Sequence, residues 1–240
     1  MRISFITGLV SRPGTALKNC IFTKNEDMHF LDATLETYIG NHSEEEPELL
    51  RQLSRETHLK VLQPRMITGH LQGRFLSTIS KILRPQFILE IGTYTGYSAL
   101  CLAEGLRNDG ELHTIDINEE LADIQQRYID KSPYADRIKR HTGNAIDIVP
   151  QLNHSFDLVY IDAEKKEYLS YFEVVMPKIH PGSLLLSDNV LWSGKVLEPA
   201  AEGDKSTAVL QQYNRLLKED PRLETVLLPI RDGLTISRVK

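Results

Sequence analysis

An apolar run, Phe87-Ile88-Leu89, leads straight into Glu90-Ile91-Gly92-Thr93-Tyr94-Thr95-Gly96-Tyr97-Ser98. The run reads as a buried strand. Residues 98–106 read as a helix, with Leu100, Leu102, Ala103 and Leu106 free to face a sheet. A strand that ends in an acid, turns on two glycines and starts a helix belongs in an open α/β sheet. Ligands bind there at the carboxyl ends of the strands. The spacing is Gly-x-x-x-Gly, unlike the Gly-x-Gly-x-x-Gly of dinucleotide folds. A carboxylate at the mouth repels phosphate. Such a loop suits a ligand bearing hydroxyls, an amine or a positive charge.

The next strand, 112–116, also ends in an acid, Asp116. An acid one βα unit past a glycine loop can take a ribose hydroxyl pair. Glu90 and Asp116 equally suit ordinary strand-end acids that start the following helix.

With the Glu-Ile-Gly-Thr-Tyr-Thr-Gly-Tyr-Ser wording and Asp116 in place, the chain resembles the S-adenosylmethionine-dependent methyltransferases. In particular it resembles the metal-dependent O-methyltransferases of the caffeoyl-CoA and catechol type. The resemblance is good from about residue 68 to 240 and weak before 30. It implies a Rossmann-like α/β fold: a seven-stranded, mostly parallel sheet with an antiparallel last hairpin, helices on both faces, and extra N-terminal helices.

At 240 residues the chain suits one α/β domain. The expected division is an N-terminal extension at 1–27 and a single methyltransferase domain at 28–240. A net charge of −5 argues against a sequence-independent nucleic-acid grip. No apolar run approaches the length of a membrane span. The first residues make a poor signal peptide. Cys20 and Cys101 make no disulfide framework; Cys101 reads as a small core residue. A reducing cytoplasm is the expected compartment.

Along the chain, helices are expected at 30–39 and 44–58. Pro47 should sit in a first turn, with Glu44, Glu45, Glu46 and Glu48 on a solvated face. Thr68 is expected to start a helix running to 83, as its N-cap. Further on come a helix at 119–130, a strand at 137–141, and a turn at Gly143-Asn144-Ala145 into 146–152. A strand at 156–161 and a helix at 167–179 follow. Pro181-Gly182 should turn into a strand at 183–187. A helix at 207–217 and strands at 223–230 and 234–239 close the chain, the last two joined near Arg231-Asp232-Gly233 as a hairpin.

Two strands end in oxygen donors, Asp162-Ala163-Glu164-Lys165 and Asp188-Asn189. Carboxylate and amide oxygens suit Mg²⁺, Mn²⁺ or Ca²⁺ and not zinc. Asp188-Asn189 is equally a turn sequence. Here the resemblance adds that Asp162, Asp188 and Asn189 match the family's metal ligands one for one. Lys165 reads either as a solvated helix-start lysine or as a general base, since a nearby divalent cation disfavours an ammonium. The catechol-type enzymes carry lysine at the matching position.

The resemblance implies that Thr68, Glu90, Gly92, Thr93, Ser98, Asp116, Ala145, Asp162 and Glu164 surround S-adenosylmethionine. Asp116 would take the ribose, and Ala145 would sit beside adenine through its backbone. It also implies a divalent metal holding both oxygens of a small aromatic vicinal diol, with Lys165 and Asp162 in the catalytic roles, and a homodimer. Trp192 and Ser193 would meet the substrate, although Trp192 suits a core or surface patch as well. Two departures stand out. Plant caffeoyl-CoA enzymes have aspartate where this chain has Glu164, and a substrate-touching asparagine where it has Ser193. Ser193 puts the plant substrate itself in question, and the expected acceptor is a catechol or caffeoyl-type diol. The rival readings are a nicotinamide-dependent oxidoreductase and a non-catalytic donor-binding protein on the same fold.

Overall fold

The computed structural model describes residues 32–240. The extension expected at 1–27, Cys20 and the start of the first expected helix lie outside the described residues. In chain order the elements are α1 (Ala33–Asn41), α2 (Glu48–Lys60), α3 (His70–Leu83), β1 (Phe87–Ile91), α4 (Tyr97–Ala103), β2 (Glu111–Asp116), α5 (Ala122–Asp130), β3 (Ile138–Thr142), α6 (Ala145–Ile148), β4 (Phe156–Ile161), α7 (Tyr168–Val175), β5 (Ile179–Asp188), α8 (Lys205–Glu219), β6 (Leu223–Leu228) and β7 (Leu234–Val239).

The strands form one sheet in the order β3-β2-β1-β4-β5-β7-β6. All neighbours run parallel except where β7 inserts antiparallel between β5 and β6. The order reverses between β1 and β4, and a crevice opens outside the carboxyl ends at such a point. Register makes the crevice level. Ile91 pairs with Ile115 on one side and Ile161 on the other, and Ile161 pairs with Ser187. The next residues, Gly92, Asp116, Asp162 and Asp188, therefore emerge side by side.

β1 is covered on both faces, so Ile88, Leu89, Glu90 and Ile91 are all buried. One core packs Leu76, Ile88, Leu100, Leu102 and Leu112 on the α3–α4 side. The other packs Leu89, Ile115, Phe172, Leu185 and Leu210 on the α7–α8 side. Cys101 is fully buried, as expected.

Five local expectations change. Pro47 is the residue before α2, not part of its first turn, and Glu46 leaves the solvated face to accept a hydrogen bond from the Tyr97 hydroxyl at 2.6 Å. Gly69, with φ +78°, takes the capping position of α3, so Thr68 is not its cap. Pro181-Gly182 does not precede β5 but lies inside it, where the pairing with β4 shifts between Phe156 and Leu158; such irregularities accommodate a proline that cannot donate to the ladder. The helix expected to 179 ends at Val175 and gives way to a 3₁₀ turn at Met176–Lys178, because Pro177 interrupts it.

The hairpin between β6 and β7 reaches back across the molecule. The Arg231 guanidinium donates to the carbonyls of Ile67, at 2.7 Å, and of Thr68, just ahead of α3. Val190 and Leu191 donate their amides to the carbonyls of Gly233 and Asp232. Among the described residues, no helix is long and apolar enough to cross a membrane.

Candidate active site

An open cleft of about 2080 Å³ lies over the level strand ends. Its wall includes Asp116 at the end of β2, Ala145 at the start of α6, Asp162 and Lys165 after β4, and Asp188 at the end of β5 with Asn189 after it. Thr68, Gly92, Glu164, Trp192 and Ser193 line it too. Glu90, Thr93 and Ser98 do not; they stand behind the wall.

Glu90 is fully buried. Its Oε2 accepts from the Thr114 hydroxyl at 2.5 Å, and Thr114 also bonds Thr93 Oγ1 at 2.5 Å. Its Oε1 has no hydrogen-bond partner. Burial pushes the Glu90 carboxyl up to about 8; the hydroxyls of Ser98 and Thr114 oppose the rise, while the charges of Asp162 and Asp116 add to it. Glu90 is thus a neutral or singly satisfied acid that a cationic ligand would ionise.

Asp116 is held rigidly. The Tyr94 amide donates to its Oδ2 at 2.6 Å, and the Asn118 amide donates to its Oδ1 at 2.8 Å. Each carboxylate oxygen keeps a lone pair for a further hydroxyl. Gly92, with φ +102°, makes the close approach between β1 and β4 possible: a Cβ there would fall 1.9 Å from the Asp162 carbonyl oxygen.

The acids after β4 and β5 form a second group. Asp188 is buried, and its Oδ2 accepts from Gln72 Nε2 at 2.6 Å and from the Tyr160 hydroxyl at 2.9 Å. Burial, and then the charge of Asp162, raise its carboxyl above the usual carboxylate range. Asn189 adopts a left-handed backbone, φ +55°, and its amide donates to Asp188 Oδ1 at 2.8 Å. Lys165 is buried; its Nζ donates to Asp162 Oδ1 at 3.0 Å and to the Tyr168 hydroxyl at 3.1 Å. Tyr168 in turn donates to the Asp188 carbonyl at 2.8 Å.

A hard divalent cation fits this donor set. Two mutually repelling carboxylates and an adjacent amide offer only oxygens, and the Gln72 amide oxygen beside them is buried without a partner. Glu164, at the cleft wall, is exposed, and its carboxylate accepts from the Lys166 amide at 3.3 Å, capping a 3₁₀ turn. Trp192 is half-buried with Lys195 Nζ 5.7 Å from its ring centre, and its Nε1 lacks a partner. Ser193 is exposed, and its amide donates to Asp232 Oδ1 at 2.5 Å.

Sequence reasoning missed Gln72, Tyr160 and Tyr168, the residues that hold Asp188 and Lys165. Tyr168 stands one helical turn after Lys165, which was a usable signal. Gln72 and Tyr160 are far away in sequence and gave none.

A parallel sheet with one antiparallel strand, and an acid-rimmed cleft at its switch point, define a Rossmann-like methyltransferase. The comparisons agree. The O-methyltransferase family profile matches residues 40–240. Caffeoyl-CoA O-methyltransferase 5 of Nicotiana tabacum is 34% identical over 204 residues, covering 80% of this chain and 85% of that one. An O-methyltransferase from Bacillus cereus, solved in complex with SAH, superposes with a TM-score of 0.80 at 28% identity, covering 86% and 97% of the two chains. A methyltransferase from Podospora anserina, also SAH-bound, gives 0.79 at 27%, covering 86% and 94%. The chain belongs to the O-methyltransferase family, in the S-adenosylmethionine-dependent class of enzymes. The nicotinamide-dependent and non-catalytic readings give way to it.

Proposed function

We propose that the chain methylates one hydroxyl of a small aromatic vicinal diol, using S-adenosylmethionine as donor and a divalent cation held by Asp162, Asp188 and Asn189. The observation that carries this reading is the placement of Lys165. Its Nζ is buried between Asp162 and Tyr168, in the same cleft as the amide-locked Asp116.

On this reading Asp116 takes the ribose hydroxyls, because its oxygens are already aimed by two backbone amides. Glu90 and Ser98 favour the donor's positive charge from behind the wall. The backbones of Gly92 and Ala145 border the donor, and Thr68 and Thr93 shape its surroundings. Glu164 contributes at most from the rim. A bound Mg²⁺, Mn²⁺ or Ca²⁺ supplies charge that acidifies a neighbouring hydroxyl and fixes its direction. Lys165 acts as a neutral amine, its two N–H groups on Asp162 and Tyr168 and its lone pair free; the acceptor oxygen gives its proton to that lone pair and bonds the methyl carbon as the carbon–sulfur bond breaks, releasing the demethylated donor. Trp192 walls the aromatic acceptor and Ser193 borders it.

The test is turnover of catechols and hydroxycinnamoyl esters with S-adenosylmethionine, with and without EDTA. Methylation of diols that stops on chelation and returns with Mg²⁺ supports the reading. Equal turnover by EDTA-treated enzyme refutes the metal's part in it.

A further inference from the structure

The opposite end of β2 carries a cluster that methyl transfer leaves unused. Glu111 opens the strand, His113 follows on it, and His154 comes from the loop ahead of β4. One ligand-capable atom from each lies within 4.8 Å of the others. His113 is 6% exposed, yet its Nε2 has no hydrogen-bond partner. That nitrogen faces Glu111 Oε2 at 3.5 Å. The other ring nitrogen, Nδ1, lies 3.0 Å from His141 Nε2 on β3. With His141 as acceptor, the proton sits on His113 Nδ1 and the Nε2 lone pair points into the cluster. Metal-bound histidines are oriented in this way, by a hydrogen bond from their second nitrogen.

The remaining groups leave room for a cation. Lys139 Nζ is 3.8 Å from Glu111 Oε1, the other carboxylate oxygen, and its side chain is 43% exposed and free to swing outward. The His154 ring lies 4.9 Å from that of His113 and 4.3 Å from that of Phe87. His154 belongs to no helix or strand, so its ring can close the roughly 1 Å needed to reach metal-ligand distances of about 2.0–2.2 Å. β2 spans Glu111–Asp116, so at ~3.3 Å per residue the backbone of Glu111 lies about 17 Å, and that of His113 about 10 Å, from Asp116.

We propose that Glu111, His113 and His154 bind a divalent late transition-metal ion of the Zn²⁺ type, at a site separate from the oxygen donors of the cleft. Two imidazoles and one carboxylate suit zinc, cobalt or nickel far better than magnesium or calcium. Water completes the tetrahedron. The ion ties the start of β2 to the entrance of β4, across the first residue of β1, and so acts as a staple on the sheet. His141 is a positioning residue that fixes the His113 tautomer.

The test uses the full chain, freed of metal with EDTA and then kept in excess Mg²⁺, which fills oxygen-donor sites. Titration with Zn²⁺ is followed by calorimetry, and with Co²⁺ by visible absorption. One equivalent of Zn²⁺, tetrahedral Co²⁺ bands and a raised unfolding temperature are expected. His154→Ala and Glu111→Gln should each weaken Zn²⁺ binding roughly tenfold or more while the metal-free variants keep their circular dichroism and unfolding temperature. His141→Gln, which retains an acceptor, should bind more tightly than His141→Ala. Absence of tetrahedral Co²⁺ bands would overturn the proposal. So would Zn²⁺ affinity unchanged in both His154→Ala and Glu111→Gln, since the ion would then sit elsewhere.

Discussion

Lys165 Nζ lies 3.0 Å from Asp162 Oδ1, and on its other side the Tyr168 hydroxyl is 3.1 Å away. A buried lysine gripped on two sides cannot sample the rotamers of a surface lysine, so its donor atom stays aimed at the cleft. Removing the side chain should lower turnover by roughly 10²–10⁴-fold, the usual share of acid–base catalysis. Donor affinity should hardly change in Lys165→Ala. Near-normal turnover in a folded variant would show that another group takes the proton.

Asp116 has its orientation imposed by the amides of Tyr94 and Asn118. Asp116→Ala should weaken S-adenosylmethionine binding by roughly 1.5–3 kcal/mol, the range for hydrogen bonds to a charged group. Calorimetry on the variant reads this directly. Unchanged affinity would remove Asp116 from the donor site.

Glu90 gives the ligand-free protein a pH signature. Its carboxyl titrates near 8 in the fold against 4.5 for the unperturbed group. The folded state therefore holds a proton between these values that the unfolded chain has lost. The associated stability is present below 4.5 and is lost as pH rises through 8. Glu90→Gln should flatten this part of the curve of unfolding temperature against pH. A cationic donor favours the carboxylate, so its binding at pH 7 should release a proton. Calorimetry in buffers of different ionisation enthalpy detects that release.

Gly92→Ala should be costly although it adds one methyl. The new carbon would meet the Asp162 carbonyl at a backbone angle, φ +102°, that alanine avoids. Destabilisation of about 1–3 kcal/mol is expected from overpacking, accompanied by weaker divalent-cation binding as the β4 end shifts. Denaturant melts and a Mg²⁺ titration check the two halves of the expectation.

Metal selectivity should follow from the donors. On the proposed reading, Asp162, Asp188 and Asn189 would supply three oxygen ligands at most by monodentate binding, whereas a hard divalent cation takes about six or more. A vicinal diol can fill two of the remaining positions and a lone phenol one. A catechol should be methylated and the matching monophenol nearly inert. Equal rates for the two acceptors would count against bidentate binding.

Much of this was legible in the chain itself because strand ends are local events. Phe87 to Gly92 shows apolar burial, an acid and a glycine in direct succession, and each has a local physical meaning. Register then does the rest, since parallel strands of matched length put their next residues side by side. Buried polar partners were not legible. Gln72 on α3 looks like any surface glutamine until helix packing points it at Asp188. Pro181-Gly182 misled for a related reason: a turn pair is also what a strand irregularity tolerates, and only the pairing partner tells them apart.

The hairpin that carries Arg231 has a consequence for biosynthesis. Asp188 leaves the ribosome well before the residues that brace its neighbourhood, since β7 forms the antiparallel flank of β5 and the Arg231 guanidinium pins the segment before α3. Until β7 is made, β5 is an exposed sheet edge, the kind of edge that pairs with other chains. A chain that stops before Arg231 would keep the glycine loop, Asp116, Asp162 and Asp188, and should aggregate through that open edge rather than act as a weak catalyst.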